Sequence, residues 1–127
     1  MRRMLALAPV VLFFLESSGQ TDTIVNGVRY NFISYYPDGK INELGNVIYK
    51  DTLQTKNGRW IKFDKTGKEL ESGKFHNSEK TGKWIEGDCT GEYKHGKKQG
   101  WWKCPSKKNK YKNGEFVEKV LIDSKVF

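Results

Sequence analysis

The chain has 127 residues, enough for one domain, and carries 23 Lys or Arg against 15 Asp or Glu, a net charge of +8. From Cys89 onward ten lysines stand against four carboxylates, a net of +6, whereas Gln20 to Asp88 is near neutral at +1. Beyond the first segment no apolar run is long enough for a buried helix, which excludes a helical core, and the basic last third either attracts anionic partners or solvates a face.

The first predicted element is a leader. Basic "MRR" precedes the apolar Met4–Leu15, and small residues follow at Ser17 and Gly19. This is the pattern of a secretory signal peptide, cleaved after Gly19. The apolar run is shorter than the ~20 residues that span a bilayer, which sets it apart from a membrane anchor. The expected organisation is a signal peptide over residues 1–19 and one domain over 20–127. An exported chain points to protein, anionic lipid or polysaccharide as partner, rather than nucleic acid.

Short alternating runs broken by Asp-Gly, Thr-Gly, His-Gly and Asn-Gly fill the rest. They predict an all-β fold, an elongated antiparallel sheet of successive hairpins. In "YYPDGK", Pro37-Asp38 reads as a type I turn with Gly39 left-handed, and "FDKTGK" repeats it with Gly67. Residues 46–57 fit no unit of the pattern.

The centre of the chain repeats itself. "GEYKHGKKQGWW", Gly91–Trp102, falls on "GKFHNSEKTGKW", Gly73–Trp84, after a shift of 18, and "WIEGDCTG" falls on "WIKFDKTG" after a shift of 24. Units of this size imply an array in which each covers its neighbour. The structural positions are Trp60, Gly73, Phe75, Gly82, Trp84, Gly91, Tyr93, Gly100 and Trp102.

A four-residue turn at His95–Lys98 sets the register. It places Tyr93 opposite Gly100 and Gly91 opposite Trp102, each ring lying across a bare backbone. The preceding hairpin then pairs Phe75 with Gly82 and Gly73 with Trp84, and sets Glu71 against Glu86, which must splay or slip. One step outward Cys89 faces Cys104 within disulfide range, the alternatives being free thiols or another register. "KNGE" reads either as an Asn-Gly turn or, as "NGEF", as a weaker copy of the repeat. "EFVEKVLIDSKVF" reads as a strand closing one end, or as a short helix.

No Gly-x-Ser-x-Gly, His-Glu-x-x-His or phosphate-binding loop occurs, and His76 and His95 lie at hairpin loops. Catalytic residues, metal and cofactor are therefore expected to be none. Glu69/Glu71 and Glu86/Asp88 read as polar strand edges. What the repeat does not require is a set of candidate anion- or partner-binding residues: Lys94, Lys97, Lys98, Trp101, Lys103, Lys107 and Lys108, in a lysine run that continues to Lys110 and Lys112. Trp101 falls out of phase with the other rings, on the polar face.

The pattern G-x-(aromatic)-x-(N/H)-G-x-(K/R)-x-G-x-(aromatic) in Gly91–Trp102 resembles the MORN repeat, and the W-x-x-x-D-x-x-G spacing around it resembles the bacterial YwqK-type variant. The resemblance covers about Tyr35–Phe116, with departures at Ser78 and after Gly82. It implies a one-layer sheet of hairpins and a non-enzymatic binding or scaffold module, making protein or envelope-surface contacts. A binder of anionic lipid or glycan is the second expectation. An antitoxin-like inhibitor or a small enzyme is the third.

Overall fold

The computed structural model describes residues 22–122, and the predicted signal peptide lies outside them. Every regular element among the described residues is a strand. β1 (Thr23–Val25) and β2 (Val28–Tyr30) form a small hairpin. β3 (Phe32–Tyr35), β4 (Ile41–Lys50), β5 (Leu53–Phe63), β6 (Glu69–His76), β7 (Glu79–Glu86), β8 (Cys89–Lys94), β9 (Lys97–Lys103), β10 (Lys107–Lys112) and β11 (Glu115–Leu121) form a nine-stranded antiparallel sheet in chain order. The expected succession of hairpins is what the chain adopts. Residues 46–57, unplaced from sequence, belong to the β4–β5 hairpin and its Asp51-Thr52 turn.

Turn chemistry fixes the hairpins. Both central residues have positive φ at Asn77-Ser78, His95-Gly96 and Asn113-Gly114, as two-residue turns matched to strand twist require. "NGEF" is therefore a turn and the start of β11, not a repeat copy. The loops with Gly39 and Gly67 hold left-handed glycines as read from sequence, both at φ 92°.

The expected four-residue turn at His95–Lys98 is corrected to a two-residue turn, and the reason is a bulge. Thr90 pairs with Lys103, but Glu92 pairs with Gln99, so Gly91 alone faces the segment Gly100–Trp102. The same offset separates Ser72↔Ile85 from Lys74↔Thr81, and Gly45↔Trp60 from Val47↔Lys56. At these three offsets the bulged strand carries a glycine at positive φ: Gly58, Gly82 and Gly100, at 104°, 70° and 78°.

The register thus shifts by two between bulge and tip. Tyr93 opposes Lys98 rather than Gly100, and Phe75 opposes Lys80 rather than Gly82. A shift of two keeps every side chain on its face. The glycines still meet these rings, from the next hairpin: Gly58↔Phe75, Gly82↔Tyr93 and Gly100↔Tyr111. Outside the bulge the expected register holds, and Cys89 and Cys104 form a disulfide, with Cα atoms 4.2 Å apart.

Leu44 is buried on the face it shares with Ile61, but the main core lies on the other face. Trp60, Trp84 and Trp102 are buried there with Val47. A Cβ on Gly45, Gly73 or Gly91 would fall 1.9, 2.2 or 2.2 Å from a ring atom of these tryptophans, so each ring occupies the space of a missing side chain. Phe32, Trp60, Phe75, Trp84, Tyr93 and Trp102 follow one another at centroid distances of 5.1, 5.6, 5.3, 5.9 and 5.3 Å, all edge-to-face after the first. Such pairs add about 0.5–1.5 kcal/mol each beyond their buried area. At the N-terminal end Asn31 serves as a substitute strand: its amide donates to the Val47 carbonyl and its oxygen accepts from the Val47 N–H, at 2.9 and 2.8 Å.

Candidate ligand-binding groove

The three strands bulged at Gly58, Gly82 and Gly100 each spell Lys-x-Gly-x-Trp, at 56–60, 80–84 and 98–102. The lysine lies over two rings of the core face. Lys56 Nζ is 4.6 Å from Trp60 and 4.9 Å from Phe75, Lys80 is 4.4 Å from Trp84 and 4.9 Å from Tyr93, and Lys98 is 4.7 Å from Trp102 and 5.0 Å from Tyr111. The same three lysines offer their backbone carbonyls to the next turn, accepting from Ser78, Gly96 and Gly114. Asn57 and Gln99, which follow Lys56 and Lys98, accept the Asn77 and Asn113 N–H groups through their side chains. The glycine forms the bulge and the tryptophan the core.

The facing carboxylates Glu71 and Glu86 neither splay nor slip. Lys80 joins both, at 2.7 and 3.0 Å, and Lys98 reaches Glu86 at 3.4 Å. Burial alone would raise the Glu86 pKa. Hydrogen bonds from Tyr93 and Lys80, and the charges of Lys80 and Lys98, outweigh it and hold Glu86 below its ordinary value. Burial and then the Glu86 hydrogen bond push the Tyr93 hydroxyl up.

The remaining position of the unit, just before the tryptophan, points the opposite way because strand side chains alternate. It holds Arg59, Lys83 and Trp101 in the three copies. All three line one open groove of 560 Å³ on the other face of the sheet. Trp101, out of phase from sequence, is thus in phase with Arg59 and Lys83. Ser72, Ile85, Thr90 and Lys103 line the same groove, and Glu92 is the carboxylate among its lining residues. Lys108 and Lys110 hold their ammonium groups 4.7 and 5.6 Å from the Trp101 ring. Among the described residues none of Arg59, Lys83, Lys103, Lys108 and Lys110 makes an ion pair.

The sequence-based candidates divide accordingly. Trp101, Lys103 and Lys108 come together on the groove face. Lys98 belongs to the core face, committed to Trp102, Tyr111 and Glu86. Lys107 stands at the start of β10 opposite Leu121, in phase with Tyr111 on the core face. Lys94 and Lys97 oppose each other beside the His95-Gly96 turn, both exposed. Arg59 and Lys83 were missed; the signal that finds them is the variable position of Lys-x-Gly-x-Trp. His76 and His95 are exposed and line a smaller recess of 280 Å³ with Glu79 and Lys94. Asp88 lies beside Cys89 and Cys104, whose sulfurs are bonded to each other.

Comparison with protein families, with curated proteins and with solved structures finds no match for this chain.

Proposed function

We propose that this chain is an exported, non-enzymatic binding or scaffold module built from MORN-like hairpin repeats, and that it engages its partner through the groove face. The observation that carries this reading is a row of cations without ion pairs among the described residues, beside a half-buried tryptophan, on the face opposite the tryptophan ladder. On the core face Lys80 and Lys98 are paired with Glu71 and Glu86, whereas Arg59, Lys83 and Lys103 on the groove face have no ionic partner among the described residues. The fit between the hairpin array, its glycine–aromatic ladder and the sequence pattern supports the MORN-like assignment. The disulfide supports export, since such bonds persist in oxidising compartments.

A photo-activated cross-linking residue placed at Lys83, and separately at Lys62 on the core face, tests the reading in native envelopes. Discrete adducts from position 83 and none from position 62 are expected. Equal labelling, or adducts from position 62 alone, overturns it. Anion binding as the basis of recognition is favoured by the same unpaired cations, and predicts adducts that fade as salt rises.

A further inference from the structure

The structure assigns the groove to an anionic polysaccharide, an inference that rests on the groove face being the binding face. The ligand is read one side chain per repeat, by Arg59, Lys83 and Trp101. Repeat proteins recognise extended ligands with equivalent positions of successive units. Here Lys, Gly and Trp are constant, and the position before the tryptophan displays a guanidinium, an ammonium and an indole in turn.

Three features select a sugar polymer. The first is spacing. Arg59, Lys83 and Trp101 sit on β5, β7 and β9, every second strand. Strands ~4.8 Å apart place them ~10 Å apart across the sheet. That matches the advance of one disaccharide, so a chain with one acidic group per disaccharide meets a cation at two successive steps. An extended acidic peptide presents same-face side chains roughly 7 Å apart and falls out of phase.

The second is the ring. An indole takes the third place where a further cation would serve a simple polyanion better. The C–H face of a pyranose stacks on an aromatic ring, and an amphipathic ring suits a surface that is wet at one edge. Lys108 and Lys110 beside it supply charge for the acid group of the stacked unit.

The third is the floor. Ser72 and Thr90 offer hydroxyls and Glu92 a carboxylate. That carboxylate stands opposite Lys83 on the neighbouring strand. It accepts hydrogen bonds from sugar hydroxyls, which carry many donors.

The test uses the oxidised full chain and four probes: hyaluronan octasaccharide, heparin octasaccharide, polyglutamate and single-stranded DNA of matched charge. Tryptophan fluorescence and calorimetry read affinity at low and moderate salt. Binding of one or both glycans, at least tenfold tighter than polyglutamate or DNA, is expected. Arg59→Gln and Lys83→Gln should each weaken it about fivefold and Trp101→Ala about tenfold, the last in line with the worth of aromatic stacking. Lys62→Gln, on the core face, should leave it within twofold.

Equal or tighter binding of polyglutamate assigns the groove to acidic protein and overturns the glycan. Equal binding of DNA reduces the site to unspecific charge attraction and also overturns it. If no glycan binds while position 83 still cross-links in envelopes, the glycan inference fails and the binding-face reading stands. If both fail, the binding-face reading falls with it.

Discussion

Lys80 and Lys83 are three residues apart on β7 and point to opposite faces of one sheet. Lys80 is held by two carboxylates and two rings. Lys83 is exposed and has no ionic partner among the described residues. The contrast extends over the molecule. On the core face, Lys56, Lys80 and Lys98 recur in each unit, each lying over two rings. On the groove face, the matching position changes from Arg59 to Lys83 to Trp101. The repeated Lys, Gly and Trp carry the bulge and the core, while the position before the tryptophan carries neither and differs in each copy.

The largest test of this contrast removes a core ring. Trp84 is buried against Gly73, edge-on to Phe75 and Tyr93. Trp84→Ala should cost ~3–5 kcal/mol, read by urea unfolding. Trp101→Ala, a ring of the same size on the other face, should cost much less. Equal losses would mean that both faces are cores.

A smaller effect comes from adding one carbon. Gly91→Ala places a methyl about where the Trp102 ring lies, with ring atoms 2.2 to 2.4 Å away. The expected cost is ~1–3 kcal/mol in urea unfolding. A neutral outcome would show that the ring can leave the glycine, and that the ladder does not set the fold.

Titration sharpens the contrast further. Glu86 is held below its ordinary 4.5, so its contribution is present above that pH and is lost as pH falls through the folded value. Stability should therefore decline in acid, and Glu86→Gln should flatten the decline. Lys80 is raised above 10.5 because its bonds to Glu71 and Glu86 outweigh burial, and Tyr93 is raised above 10.0, mainly by burial. Both contributions are present below those values and fade as pH rises above them. A stability profile flat from pH 3 to 11 would contradict the network.

Much of the fold was legible because hairpins write themselves in short patterns. Glycine–aromatic spacing gave the faces, and the pairing of Cys89 with Cys104 followed from register beyond the bulge. The bulge itself was hidden. Nothing in Gly100 alone distinguishes a ring-facing glycine from one at positive φ, so the turn was read two residues too long. The β4–β5 hairpin was hidden for a related reason: its turn is Asp51-Thr52, with Asp51 at φ 57° in place of a glycine. The site was half legible. Trp101 announced itself by being out of phase, but Arg59 and Lys83 look like ordinary surface charges until the bulge groups them. The sequence does not show that Lys98 is committed, because its partners Tyr111 and Glu86 come from the adjacent β10 and from β7, two strands away.

The most direct measurement is paired urea unfolding of Lys80→Gln and Lys83→Gln. The first leaves Glu71 and Glu86 facing each other without their shared cation. At a partly exposed site, screening reduces that loss to about 1–2 kcal/mol. The second removes a side chain that the fold does not use, and should stay within about 0.5 kcal/mol of the parent. Equal changes, or a larger loss for Lys83→Gln, would contradict the division of the repeat into a face that folds and a face that the fold leaves free.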